Sequence, residues 1–142
     1  MNSAHASHTA TLLADGKVLI AGGAGEPPTV SNSVTAVAEI YDPSSGTFAI
    51  TGAMRTPREF HQATRLSNGQ VIVTGGDDSF KVLANTEIYD PTSGTFAADG
   101  SMAVPRDSFT ATLLNNGDVL LAGGLIGFTE AADTPTAELY VP

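Results

Sequence analysis

Short runs of apolar and β-branched residues recur along this chain, each enclosed by glycines. The clearest run, GQVIVTGG at 69–76, consists of a turn glycine, five strand-forming residues and a glycine pair. Apolar residues occupy both alternating positions of this run, which is typical of a strand buried on both faces. Closely similar runs stand at 16–23 and 117–124. The recurrence predicts a repeat protein built from three units.

The repeat has a constant frame and one variable loop. The turn glycines Gly16, Gly69 and Gly117 are 53 and 48 residues apart. The distance from the second glycine of the pair to a recurring glutamate varies, with 16, 11 and 14 residues in the three units. Loops that vary on a fixed scaffold are where binding specificity usually resides. The glycine pairs themselves are Gly22, Gly23, Gly75, Gly76, Gly123 and Gly124.

Each unit predicts four short antiparallel strands. Asp-Gly and Asn-Gly pairs supply the positive φ of the turn between the first two strands, and Asp-Pro followed by Ser and Gly forms the turn before the fourth. No helical periodicity of useful length appears, so the predicted fold is all-β, and the third unit lacks its fourth strand. The predicted strands are 8–13, 17–21, 38–41 and 47–50 in unit one, 60–66, 70–74, 86–89 and 95–98 in unit two, and 109–114, 118–122 and 137–140 in unit three.

Three motifs carry a family resemblance: the glycine pair, the Glu-x-Tyr-Asp-Pro of the third strand and the Gly-Thr-Phe of the fourth. With them the chain resembles kelch repeats, of the bacterial kind related to the propeller of galactose oxidase. Four-stranded units of about 50 residues also match a β-propeller blade. The resemblance implies a single partial propeller over 1–142, with blades at about 1–52, 53–100 and 101–142. The fourth-strand aromatic, usually Trp in that family, is Phe48 and Phe96 here, and a propeller of another class is the rival fold.

A glutamate and a tyrosine recur two residues apart in the third strand of every unit, and therefore share one face of it. We expect the carboxylate to accept hydrogen bonds within its unit, with Arg58, Arg106 or their repeat equivalent His5 as partners. The tyrosine ring is suited to filling the space between neighbouring units. Because the arrangement recurs in every unit, we interpret it as structural. The positions are Glu39, Glu87, Glu138, Tyr41, Tyr89 and Tyr140.

Alternating strand direction places the loops 24–37, 77–85 and 125–135 on one rim, together with the links 54–58 and 102–106. The resemblance implies that such loops bind ligands around the central channel of a propeller. Residues that break the repeat or lie in these segments are therefore the ligand-binding candidates. They are Arg55, Arg58, Phe60, Asp77, Asp78, Phe80, Lys81, Arg106 and Phe128.

Candidate chemistry is sparse, and the sequence predicts no catalytic residue, metal site or cofactor. The chain has no cysteine, which excludes disulfides, thiol nucleophiles and the cysteine–tyrosine cross-link on which the copper site of galactose oxidase depends. Asp77 and Asp78 suit a hard cation, but calcium needs about six to eight oxygens, so a solvated loop is favoured. We interpret His5, His8 and His61 as structural rather than as metal ligands.

Charge limits the partners. Fifteen acidic and six scattered basic residues give a net charge of −9. Nucleic acid and anionic membranes are therefore poor partners, and the acidity favours solubility. The apolar runs are too short to span a bilayer, and the first ten residues lack the pattern of a signal peptide. The family resemblance implies an extracellular or cell-envelope location.

Three blades cannot close a ring, since propellers have about four to eight. The chain is therefore either a fragment of a longer propeller or half of a homodimer that closes a six-bladed ring head to tail, and we favour the homodimer. Two functions remain open, beside a structural option in which the half-propeller only self-assembles. The first is a non-enzymatic interaction module whose rim loops recognise a protein or glycan. The alternative is a fragment of a kelch-type carbohydrate-active enzyme, such as a sugar oxidase or epimerase.

Overall fold

A computed structural model describes residues 1–25, 34–128 and 133–142. Within these ranges the chain forms eleven β-strands and no helix, which confirms the predicted all-β class. None of the described residues belongs to a helix long and apolar enough to cross a membrane. The strands are β1 (Thr9–Leu12), β2 (Val18–Ala21), β3 (Ala38–Asp42), β4 (Thr47–Ile50), β5 (Gln62–Arg65), β6 (Val71–Thr74), β7 (Asn85–Asp90), β8 (Thr95–Ser101), β9 (Thr110–Leu113), β10 (Val119–Ala122) and β11 (Ala137–Tyr140).

The strands form three antiparallel sheets in chain order. Sheet 1 has the order β1-β2-β3-β4, sheet 2 the order β5-β6-β7-β8 and sheet 3 the order β9-β10-β11. The predicted strands are confirmed with shifts of one or two residues at their ends. The exception is β8, which continues to Ser101 because Asn85 pairs with it beyond a bulge in the ladder. Three successive antiparallel sheets of this kind are consistent with a blade-repeat β fold.

A glycine pair ends the second strand of each sheet, and in sheet 2 the reason is steric. Gly75 has a φ of +64°, a conformation that side chains rarely adopt. A Cβ at this position would overlap the carbonyl oxygen of Arg106 and lie 2.7 Å from the Phe109 ring. The next sheet therefore approaches the glycine backbone directly.

Two hydrophobic clusters lie between neighbouring sheets. The first joins Leu19 and Ala21 of sheet 1 to Val71, Val73 and Tyr89 of sheet 2. Side chains alternate along a strand, so each sheet has a forward face, turned to the following sheet, and a backward face, turned to the preceding one.

The second cluster repeats the arrangement one sheet later. It joins Leu66 and Ile72 on the forward face of sheet 2 to Val119 and Leu121 on the backward face of sheet 3. The second strand of sheet 2 therefore contributes apolar side chains to both clusters, which explains why its sequence is apolar at both alternating positions. The sheets also contact one another along their first strands, β1 against β5 and β5 against β9.

Candidate functional site

A recurring glutamate, buried in sheets 1 and 2 and partly exposed in sheet 3, holds the segment that leads into the first strand of each sheet. In sheet 2, Glu87 accepts hydrogen bonds from the backbone N–H groups of Arg55 at 2.7 Å and Thr56 at 3.1 Å. The Arg58 guanidinium donates to the same carboxylate at 3.0 Å, and also to the carbonyl oxygen of Gly75 at 2.8 Å. One ion pair thus joins the incoming segment, the glycine pair and the third strand.

The same arrangement, in which a third-strand glutamate binds the basic residue and the backbone of the incoming segment, recurs in sheets 3 and 1. We call it the latch. Arg106 lies 2.8 Å from Glu138 and 2.7 Å from the carbonyl oxygen of Gly123. In sheet 1 the histidine His5 replaces the arginine, with its ring 3.3 Å from Glu39. The predicted partnership between the recurring glutamates and Arg58, Arg106 or His5 is confirmed.

Burial and hydrogen bonding act in opposite directions on the pKa of Glu39. Burial is the largest influence on Glu39 and would raise its pKa. The hydrogen bonds from the backbone N–H groups of Asn2 and Ser3 and from His5 together outweigh burial and leave the pKa below its ordinary value. Burial also disfavours the charged form of Arg58 and therefore lowers its pKa. The negative charge of Glu87 opposes this effect.

Arg58 and Arg106 need a correction, because they were among the ligand-binding candidates. Both are fully buried, and their terminal nitrogens donate to carboxylate and carbonyl oxygens of their own sheets. They therefore present no surface to a ligand in this chain. The sequence predicted two roles for these arginines, ligand binding and partnership with the recurring glutamates. The structure supports the second role.

The loop at 77–82 is held by its own carboxylates. Asp77 is buried and accepts the backbone N–H of Ser79 at 2.8 Å. Asp78 accepts the N–H groups of Phe80 at 3.0 Å and Lys81 at 2.9 Å. These turns leave Phe80 at the tip, 79 % exposed.

The remaining candidates are exposed. Arg55 and Lys81 have solvent-exposed side chains, and Phe128 is exposed at the edge of the described residues. Residues 26–33 and 129–132, parts of two predicted rim loops, lie outside the described residues.

A groove of about 500 Å³ runs across the beginnings of the three first strands. We call it the inner groove. Phe60, 46 % exposed, lies in its middle. Side chains with hydroxyl, imidazole, amide and aromatic groups line it, and they include Ser7, His8, Phe60, His61, Gln62 and Ser108.

Three repeat-equivalent positions of the inner groove share an unusual backbone. Ser7, Phe60 and Ser108 have φ values of +54°, +52° and +51°. The N–H of Phe60 donates to the carbonyl of Ser7 at 3.1 Å, and the N–H of Ser108 donates to the carbonyl of Phe60 at 3.0 Å. A chain of backbone hydrogen bonds thus connects the three sheets at this level.

Three carboxyl groups near this series of backbone hydrogen bonds have raised pKa values: those of Glu59, Asp77 and Asp107. Burial is the main cause for Glu59, and the neighbouring Asp77 adds to it. Burial also raises the pKa of Asp77 and of Asp107, each with a further contribution from a nearby aspartate.

Glu59 and Asp107 were not among the sequence candidates. They occupy the repeat position of Ala6, and an acidic residue at this position in two of the three units is the signal that could have identified them. Glu59 and Asp107 directly precede Phe60 and Ser108 of the inner groove in the sequence, but their side chains do not line it.

His61 is buried between sheets 1 and 2, with Nε2 3.0 Å from the Thr9 hydroxyl. Burial, with the positive charge of Arg58 and the influence of His8, lowers its pKa from 6.5 to about 3. The folded state therefore favours neutral His61. Its contribution to stability is complete above pH 6.5 and is lost as the pH falls from 6.5 towards 3.

Replacing His61 with phenylalanine should flatten the acid side of the stability curve. Phe109 fills the equivalent position against Gly75, so the fold accepts this ring. Between pH 7 and pH 5 the wild type should lose about 2 kcal/mol more than H61F, from 1.4 kcal/mol per pKa unit. Urea unfolding at both pH values measures the difference. Equal losses in the two proteins would contradict the buried neutral histidine.

Among the described residues, no group of three or more His, Cys, Asp or Glu side chains is placed to hold a metal ion. Comparison of the chain with protein-family models found no match, and a search of the curated proteins found none either.

Proposed function

We propose that this chain is a non-enzymatic binding module of the kelch type, whose rim loops and inner groove recognise a protein or glycan. In this proposal its three sheets are blades of a half-propeller that assembles into a closed six-bladed ring. The sheets follow one another in chain order and pack face to face, and their first strands converge on the inner groove. These features support a radial arrangement of blades.

The observation that carries the binding proposal is Phe60. A bulky residue with positive φ is strained, and such strain is most often retained at functional positions. Ser7 and Ser108 adopt the same backbone, so the fold does not require an aromatic ring there. Nevertheless the Phe60 ring lies 46 % exposed in the inner groove. An aromatic ring at a strained position in a groove, where the architecture accepts serine, is the feature for which we propose a ligand that packs on it.

The surroundings of Phe60 favour a polyhydroxylated ligand. A flat apolar ring packs against the C–H face of a sugar, and carboxylate, hydroxyl and amide groups hydrogen-bond its hydroxyls. Ser7, Ser108 and Gln62 supply hydroxyl and amide groups in the groove. The volume of about 500 Å³ lies in the range of small-molecule sites. A glycan is therefore the ligand class to test first.

The variant Phe60→Ser tests the proposal with a residue that the fold already uses at this position. The wild-type chain is screened on a glycan array, and binding of the best glycan is measured by calorimetry. F60S should fold with unchanged or higher stability and bind that glycan at least about tenfold more weakly, as expected for loss of an aromatic anchor. Ile50→Ser, an exposed apolar position on β4, is the matched control and should retain affinity.

Equal binding by F60S and wild type would overturn the assignment of the groove. If no glycan binds, the same variant is used to compare proteins captured by chemical cross-linking, which tests the protein branch. Chemical turnover of a bound sugar would replace the proposal with the enzymatic alternative, a sugar oxidase or epimerase fragment.

A further inference from the structure

Sheet 3 exposes a face that is buried in both other sheets. On the forward face, Leu19 of sheet 1 and Ile72 of sheet 2 are each 1 % exposed, because the following sheet covers them. Their equivalent in sheet 3, Leu120, is only half-buried. The neighbouring Leu139 is 56 % exposed, whereas its equivalent Ile40 packs against the first cluster.

The same face contains a vacant space of defined shape. At Gly22 and Gly75 a Cβ would collide with the next sheet: with its arginine carbonyl and with the ring of His61 or Phe109. At Gly123 a Cβ would meet nothing within 4 Å. The chain thus shows twice what fills this space, namely an aromatic or imidazole ring and a backbone carbonyl from a following unit.

The backward face of sheet 1 presents the matching groups. His8 is the repeat equivalent of His61 and Phe109, and His5 is the equivalent of Arg58 and Arg106. The N–H groups of Gly23 and Gly76 donate to the carbonyls of Arg58 and Arg106 at 2.8 and 2.9 Å.

The ends of both hydrogen-bond series are open. Within the described part of the chain, the N–H of Gly124 finds no acceptor and the carbonyl of His5 no donor. The chain of hydrogen bonds through Phe60 likewise ends in the N–H of Ser7 and the carbonyl of Ser108. Donors left over on one flank therefore match acceptors left over on the other.

We infer that the forward face of sheet 3 binds the backward face of sheet 1 of a second copy of this chain, with the His8 ring of that copy over Gly123. This inference deepens the proposed function, on whose propeller arrangement it rests. Two such contacts, related by a two-fold axis, close a ring of six sheets without leaving an open flank. Each contact also extends the inner groove, because Ser108 of one copy continues to Ser7 of the other.

Sedimentation equilibrium of wild type and variants tests this contact. The wild type should have twice the 14.5 kDa mass of the chain. Gly123→Ala places a methyl group where His8 of the second copy would lie, and should raise the dimer dissociation constant by about a hundredfold. Gly117→Ala is the matched control, since Gly117 also has a positive φ with open space around it, but lies in the turn before β10.

A second variant avoids the backbone strain of the glycine. Leu139→Arg adds a charge on the forward face, at a position that is 56 % exposed in the single chain, so folding should be unaffected. The dimer dissociation constant should rise about as much as in G123A. Asn115→Arg adds the same charge to an exposed turn of the same sheet and should remain dimeric. A wild type that stays monomeric at all concentrations, or dimers that persist in both G123A and L139R, would overturn the inference.

This result is separable from the proposed binding activity. A dimer that binds no ligand through Phe60 leaves the flank contact standing and removes the proposed function. A monomer whose glycan binding is lost in F60S supports the binding site and removes the contact.

Discussion

Replacing Arg58 with methionine should destabilise the chain by about 3–5 kcal/mol, because the carboxylate of Glu87 is left buried without its countercharge. Glu87 is 1 % exposed, so water cannot replace the guanidinium. The variant also removes the donor to the carbonyls of Gly75 and Asn85. Since whole domains are stable by about 5–15 kcal/mol, this loss should be visible as a large fall in the urea midpoint.

The repeat provides the matched comparison for R58M. Arg106→Met removes the equivalent guanidinium from sheet 3, but there the side chain of Glu138 is 21 % exposed and can be hydrated. The expected loss is about 1–3 kcal/mol, the cost of the broken hydrogen bonds. A double variant, R58M with Glu87→Gln, should lose less than the sum of the two single variants, since each one alone strands a buried charge. Equal losses in R58M and R106M would contradict a role for burial.

The strand pattern was predictable because its causes are local. Asn-Gly turns, glycine pairs and apolar runs fix where strands begin and end, and β2, β6 and β10 follow the predicted limits within one residue. The latch was predictable too, since a glutamate that recurs in every unit needs a partner that also recurs.

The fate of the individual rim candidates was not predictable, because it depends on tertiary burial. Arg58 and Arg106 differ from Arg55 only in their position along the link, yet the first two are buried and the third is exposed. Phe60, predicted as a ligand-binding candidate, is 46 % exposed, but its left-handed backbone was not foreseen. No local motif specifies it: the same conformation occurs at Ser7 and Ser108, imposed by the hydrogen bonds that join adjacent sheets.

Gly75→Ala should destabilise the fold strongly, because the new methyl group adds backbone strain and also meets the next sheet. Alanine at a φ of +64° costs about 1–2 kcal/mol of backbone strain. In addition the methyl group would overlap the Arg106 carbonyl oxygen and lie 2.7 Å from the Phe109 ring. Phe109 belongs to the cluster between sheets 2 and 3, so relieving the overlap moves a packed interface apart at a further cost of about 1–3 kcal/mol.

Gly69→Ala isolates the backbone part of this effect. Gly69 has a φ of +91°, and a Cβ there would meet nothing within 4 Å. G69A should therefore lose only the strain of about 1–2 kcal/mol, and G75A about 2–5 kcal/mol, in urea unfolding followed by far-ultraviolet circular dichroism. Shortening the side chain of Phe109, which the new methyl group would meet, tests whether this contact causes the additional loss. Phe109→Ala removes the ring that the new methyl group would meet, so the cost of G75A should be smaller in that background. If G75A and G69A lose the same free energy, the glycine pair serves only the turn, and the close approach of the next sheet has no part in its selection.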